Sequence, residues 1–147
     1  MTRAPSQGFS LIELVVTVAV FALLAAIALP NYQRFIVQAH RGEAKTVLLD
    51  AAHTLERALT ASSSYTPSNA AIDLAALGLS TSPKNATNNG STPKYAVSYA
   101  QISASSFTVQ ASPQAPFLDA ECGTLSLSHT GVKNASGAAG AAHCWGQ

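Results

Sequence analysis

The stretch FSLIELVVTVAVFALLAAIAL, Phe9 to Leu29, limits what this chain can become more than any other part of it. At ~1.5 Å per helical residue its 21 residues span about 30 Å, the thickness of a bilayer's hydrocarbon. Such a block does not belong in the core of a soluble domain. Yet it holds one carboxylate, Glu13, the only charged residue between Phe9 and Gln33, and it ends at a proline, Pro30. Two ordinary uses fit poorly. A signal peptide cut after Ala26-Ile27-Ala28 satisfies the small-residue rule, but its apolar region is too long and contains an acid. A plain anchor, with Arg3 holding the tail in the cytoplasm, leaves Glu13 unexplained, because an unpaired carboxylate in hydrocarbon is costly.

A third use comes from resemblance. QGFSLIELVVTVAVFALLAAIALPNYQ, Gln7 to Gln33, resembles the N-terminus of type IV pilins and their relatives. The resemblance implies a polar leader, Met1–Gly8, removed by a prepilin peptidase after Gly8, with N-methylation of the new terminus, Phe9. Glu13 then stands fifth in the mature chain (13 − 8 = 5). It also implies that Glu13 meets the terminal amine of a neighbouring subunit, so that only one axial register neutralises both buried charges. Cutting before the apolar block keeps it in the mature protein, first as an inner-membrane anchor and then as filament core. The helix dipole favours a carboxylate in the first turn, but does not alone offset burial. Pro30 lacks a backbone donor and clashes with the preceding turn, so it either kinks the helix or ends the span; the resemblance implies a kink with the helix resuming beyond it. The partners implied are other pilin subunits, the peptidase and the membrane.

Beyond Pro30, Tyr32, Phe35, Ile36 and Ala39, then Val47, Leu48, Ala51, Leu55 and Leu59, recur at i, i+3/i+4 spacing. That is a helix with one buried face, its polar side supplied by Arg34, Arg41, Glu43, Lys45, Glu56 and Arg57. Joined to the apolar run it gives one helix from Phe9 to about Ala61, on the order of 80 Å long. Ser62 to Pro93, with Pro67, Pro83 and Asn88-Asn89-Gly90, reads as loop, interrupted by one helical turn over Ile72–Leu79 that ends at Gly78. Tyr95/Val97/Tyr99, Phe107/Val109/Ala111 and Thr124–Ser128 alternate, predicting an antiparallel meander of three or four strands against the helix. The fold class is therefore α+β, a long N-terminal helix packed on a small antiparallel sheet. The organisation is leader 1–8, transmembrane and filament-core helix 9–29, amphipathic helix 30–61 and globular head 62–147.

Cys122 and Cys144 lie near the C-terminus. Export into an oxidising compartment makes a disulfide the default, and the pilin resemblance implies the same bridge; two buried thiols are the alternative. A loop of this size contributes about 3 kcal/mol in the chain-entropy model. The bridge would hold the final segment, with Trp145, to the strand at Gly123–Ser128.

No constellation supports catalysis, and no cofactor is expected. His40, His53, His129 and His143 show no metal-ligand spacing and read as polar filler; Asp119 and Glu121 read as a solvated loop. The formal net charge of +1 gives no global field. From Ser63 onward Lys84, Lys94 and Lys133 balance Asp73, Asp119 and Glu121, 3 − 3 = 0, whereas phosphate binding needs several positive contacts. The expected function is a type IV pilus subunit, major or minor, held in the inner membrane and then polymerised. A DNA receptor for transformation and a type II secretion pseudopilin are the alternatives.

Overall fold

The computed structural model describes residues 10–146; the expected leader, Met1–Gly8, and the expected cleavage and methylation residue, Phe9, lie outside them. Helix α1 runs from Leu11 to Ser62 and continues through position 30. The chain divides into two compact units between Ile36 and Val37, and α1 contributes to both.

In the first unit the apolar residues of α1 have no core to enter. Leu11 is 81% exposed, and the large aliphatic and aromatic side chains through Leu29 are exposed with it. Tyr32, Phe35 and Ile36 correct one expectation. They carry helical spacing but are 64%, 69% and 37% exposed, so the buried stripe does not begin at Tyr32. It begins where Ala44, Val47, Leu48, Ala51 and Leu55 meet a sheet, and these five are fully or almost fully buried. Periodicity reports that a face is apolar, not what covers it.

In the second unit five antiparallel strands form a meander in the order β1-β2-β3-β4-β5. They are β1 (Thr81–Ser82), β2 (Tyr95–Ile102), β3 (Phe107–Pro113), β4 (Leu125–Ser128) and β5 (Lys133–Ala135). The alternation expected of β2 to β4 holds. Tyr95, Val97, Phe107, Val109, Ala111, Leu125 and Leu127 face the helix and are buried, while Ser98, Gln110 and Ser126 stand on the opposite face. The register pairs Val97 with Ala111 and Val109 with Leu127, which aligns the apolar rows across the sheet. Each large side chain so buried contributes about 1.5–3 kcal/mol.

The sheet exceeds the expected three or four strands because β1 and β5 carry no alternation of their own. β1 lies inside the segment read as loop, and its two residues pair with Tyr95 and Ala96. The Ile72–Leu79 segment forms turns rather than a helical turn, and ends at Gly78 with φ +68. A Cβ there would collide with the Asn85 side chain, so both the backbone sign and the space demand glycine. A short helix α2 (Gly140–Trp145) closes the chain.

Candidate functional site

Glu13 sits in the first turn of α1, locked in a reciprocal pair with Ser10. The Ser10 amide donates to Glu13 Oε2 at 2.9 Å, and the Glu13 amide donates to Ser10 Oγ at 3.3 Å. This is a capping box, satisfying two amide donors that a helix start leaves without partners. The Ser-x-x-Glu spacing of Ser10-Leu11-Ile12-Glu13 is its signature, a signal that an argument from charge alone passes over. The next polar side chain of the run, Thr17, donates its hydroxyl to the Leu14 carbonyl at 2.8 Å. Each polar group described in this stretch thus has a partner in its own chain, while one carboxylate oxygen of Glu13, Oε1, keeps capacity for another donor.

The disulfide between Cys122 and Cys144 is formed, with Cα atoms 5.6 Å apart. What holds its first cysteine was not legible as such. Asp119, expected in a solvated loop, is 3% exposed, and Arg41, expected on the polar side of the helix, is 4% exposed. Arg41 grips Asp119 with two nitrogens, Nε to Oδ2 at 2.8 Å and Nη2 to Oδ1 at 2.7 Å. The Tyr95 hydroxyl donates to Oδ2 at 2.7 Å, and the Cys122 amide to Oδ1 at 3.1 Å. Arg41 also reaches Glu121 at 3.3 Å. Helix α1, strand β2 and the disulfide turn therefore meet at one carboxylate.

The electrostatics follow from this arrangement. Burial pushes the Asp119 carboxyl up, but the hydrogen bonds from Arg41, Tyr95 and Cys122, with the guanidinium charge, outweigh it and hold the group below the usual carboxylate value. Burial raises the Tyr95 phenol, and its hydrogen bond to Asp119 and that group's charge raise it further. Gly137 completes the turn, since a Cβ there would strike the Glu121 carbonyl, and its amide donates to the Cys122 carbonyl at 2.9 Å. The bridge ties the final segment to Cys122, beside the strand at Gly123–Ser128, and the Trp145 indole N–H adds a hydrogen bond to the Asn134 carbonyl of β5 at 2.9 Å.

The cations divide between these structures and the surface. Arg41 is consumed by Asp119 and Glu121, and Lys84 pairs with Asp50. Lys133 lies over the Trp145 ring, 5.5 Å from its centroid. Lys45 stands close enough to Arg41 and Lys133 that, after burial, their charges lower its pKa. Of the three lysines of residues 63–147, Lys84 is thus paired with an acid and Lys133 lies over an aromatic ring. Of the histidines read as polar filler, His40 packs edge-on against Phe117 at 5.5 Å, and His129 lies against Tyr65 and Phe107.

Comparison with known proteins places both halves of the molecule. Residues 3–29 match the prokaryotic N-terminal methylation motif. Residues 30–126, about two thirds of the chain, match the family model described as type IV minor pilin ComP, DNA uptake sequence receptor. The chain is 37% identical over 82 residues to the type IV wide pilus major component PilA4 of Thermus thermophilus, covering 56% of this chain and 61% of that one. It is 49% identical over 43 residues to the type IV major pilin protein PilA of Myxococcus xanthus, covering 29% of this chain and 20% of that one. A fimbrial protein of Moraxella nonliquefaciens is 51% identical over 41 residues, 28% of this chain and 27% of the relative. The chain thus spans between a fifth and about three fifths of the length of these relatives. A solved type IV pilin from Shewanella oneidensis is 28% identical, with a TM-score of 0.46 over 66% of this chain and 89% of that one.

Proposed function

The chain belongs to the family of the type IV minor pilin ComP, DNA uptake sequence receptor, and from that membership we propose how this pilin subunit is processed, held and assembled. Prepilin peptidase cuts between Gly8 and Phe9, Phe9 is N-methylated, and the mature subunit waits in the bacterial inner membrane through the apolar part of α1. On assembly the exposed apolar stretch leaves lipid for the filament core, among other pilin subunits. Glu13 supplies the register by accepting a neighbour's terminal ammonium, with Pro30 as the place where the helix bends. Its role is that of a building block rather than an enzyme. The observation that carries this reading is the pairing, on one continuous helix, of an exposed apolar run with a carboxylate capped in its first turn. A soluble subunit has no reason to expose such a run, and a simple anchor uses the acid only to cap its helix, which leaves Oε1 with capacity for a further donor.

Intact-mass analysis of protein from native filaments tests the processing. The expected mature chain begins at Phe9 and carries one added methyl group. A chain beginning at Leu29 contradicts it.

A second reading is favoured by the family description, that of a DNA receptor displayed on the filament. The unit from Val37 onward sums to zero, with Arg41, Lys45, Arg57, Lys84, Lys94 and Lys133 against Glu43, Asp50, Glu56, Asp73, Asp119 and Glu121, 6 − 6 = 0. With Arg41 and Lys84 already paired, the cations left for phosphate are Lys45, Arg57, Lys94 and Lys133. Binding through these would show a shallow salt slope, at most about −4 in log–log form. A gel shift with the purified subunit across salt concentrations checks this, and absence of any shift at low salt removes the reading.

A further inference from the structure

Between β1 and β2 the chain turns through Asn88-Asn89-Gly90, and every residue from Thr87 to Thr92 is exposed. Gly90 has φ +70, and beyond its chain neighbours no atom lies within 4 Å of where a Cβ would sit. Its nitrogen therefore lacks both the side chain and the packing that hinder close approach elsewhere. Glycine after asparagine is the pair in which a backbone nitrogen most readily reaches the preceding carboxamide carbon, because the five-membered ring closes without a Cβ in the way. Asparagine is among the thermolabile residues for this kind of reason.

The attacking nitrogen must also be free, since an amide held in a hydrogen bond is kept from turning toward the carboxamide. The six asparagines of the chain provide an internal comparison. The amide after Asn31 lies inside α1. Those after Asn69, Asn85 and Asn88 donate to the carbonyls of Pro67, Pro83 and Asn85, at 3.3, 3.2 and 3.0 Å. That after Asn134 donates to the Asn134 Oδ1 at 2.8 Å. On either side of Gly90, the Asn89 and Ser91 amides are engaged by the Asn85 and Ala86 carbonyls. Among the described residues, the Gly90 amide between them has no acceptor. Asn89 alone joins exposure, a following glycine and an unengaged nitrogen.

We propose that Asn89 is a site of covalent self-modification, deamidated without an enzyme through the Gly90 nitrogen. That nitrogen gives up its proton and attacks the Asn89 Cγ. The Cγ–Nδ2 bond breaks, ammonia leaves with the proton made up from solvent, and a succinimide ring remains. Water then opens the ring at one carbonyl or the other, leaving aspartate or isoaspartate. Nothing is oxidised or reduced, and water is the one co-reactant. Either product adds a negative charge, which takes the unit from Val37 onward from 6 − 6 = 0 to 6 − 7 = −1. The new charge lies between Lys84 and Lys94 in the chain. Because no partner takes part, the extent of reaction records the age of the folded chain, and the proposal does not depend on the pilus-subunit reading.

The test incubates the purified full chain, folded in detergent, in mildly alkaline water labelled with oxygen-18, so that new events are told from earlier ones. Trypsin then releases the peptide Asn85–Lys94, which holds Asn85, Asn88 and Asn89 together. Electron-transfer fragmentation places the label and separates aspartate from isoaspartate. The expected result is labelled aspartate and isoaspartate at Asn89, forming several-fold faster than at any of the other five asparagines. Asn89→Gln, a change at an exposed position, should abolish label in that peptide. If Asn89 stays unlabelled in the folded chain while the urea-unfolded chain is labelled there, the folded loop withholds the reaction and the proposal is overturned. Label arriving as fast at Asn88 or Asn134 overturns it as well, because the free Gly90 amide would then not select the site.

Discussion

Two carboxylates, one in each unit, show what separates them. Asp119 is buried and complete: guanidinium, phenol and amide all come from its own chain. Glu13 stands in an exposed apolar helix with an amide on one oxygen only. The first arrangement stabilises a single folded subunit. The second is held by its own chain only in part, which leaves it able to serve the assembly role proposed above. The same contrast runs through the apolar residues: Val47, Leu48, Ala51 and Leu55 are buried, while the large apolar side chains from Leu11 to Leu29 are exposed.

The sharpest way to break the contrast within the head is Arg41→Ala. It leaves Asp119 buried without its counter-charge, which costs about 3–5 kcal/mol, and urea unfolding of the purified protein should show a loss of that size. Unchanged stability would mean that the head does not depend on the ion pair. Cys144→Ser comes next, at about 3 kcal/mol from loop entropy. Its hydrogen exchange should rise first in α2 and β5 and only later in α1. Uniform loss of protection would contradict a local staple.

Acid and alkali then probe the same carboxylate from two sides. The folded Asp119 value is depressed, so its contribution is present above the unfolded value near 3.9 and is lost as pH falls through the lower folded value. Stability should drop below about pH 4, and Asp119→Asn should flatten that limb. The folded Tyr95 value is raised, so its contribution is present below about pH 10 and fades as pH rises beyond it. Tyr95→Phe should remove that part of the alkaline loss. The smallest effect is expected from Ser10→Ala, which deletes one arm of the capping box at about 1 kcal/mol. Amide exchange in detergent should quicken at the first turn of α1 and leave the head unchanged.

What was legible in the sequence follows the range of the forces involved. The apolar run, Glu13 within it and the alternating strands β2 to β4 are local patterns, and Val97, Val109 and Leu127 sit where alternation puts them. Thr81 and Ser82 become a strand only because Tyr95 and Ala96 lie beside them, a pairing that two residues before a proline cannot announce. The Arg41–Asp119 pair spans 78 residues. In the sequence the two are a polar helix residue and a loop acid, because nothing local says that their desolvation is compensated. Tyr32 and Phe35 fail the other way, with the right spacing and no surface to bury against.

The central claim is that Glu13 serves assembly rather than folding or anchoring, and Glu13→Ala in the native host tests it directly. Membrane and sheared-filament fractions are probed with antibody to the head, alongside intact mass of the mature chain and urea unfolding. The account predicts a subunit cut after Gly8, resident in the membrane, with unchanged head stability and absent from filaments. Burying a neighbour's ammonium without its partner is costly, whereas removing a charge from an apolar run does not hinder insertion. Normal recovery of Glu13→Ala in filaments would contradict the claim.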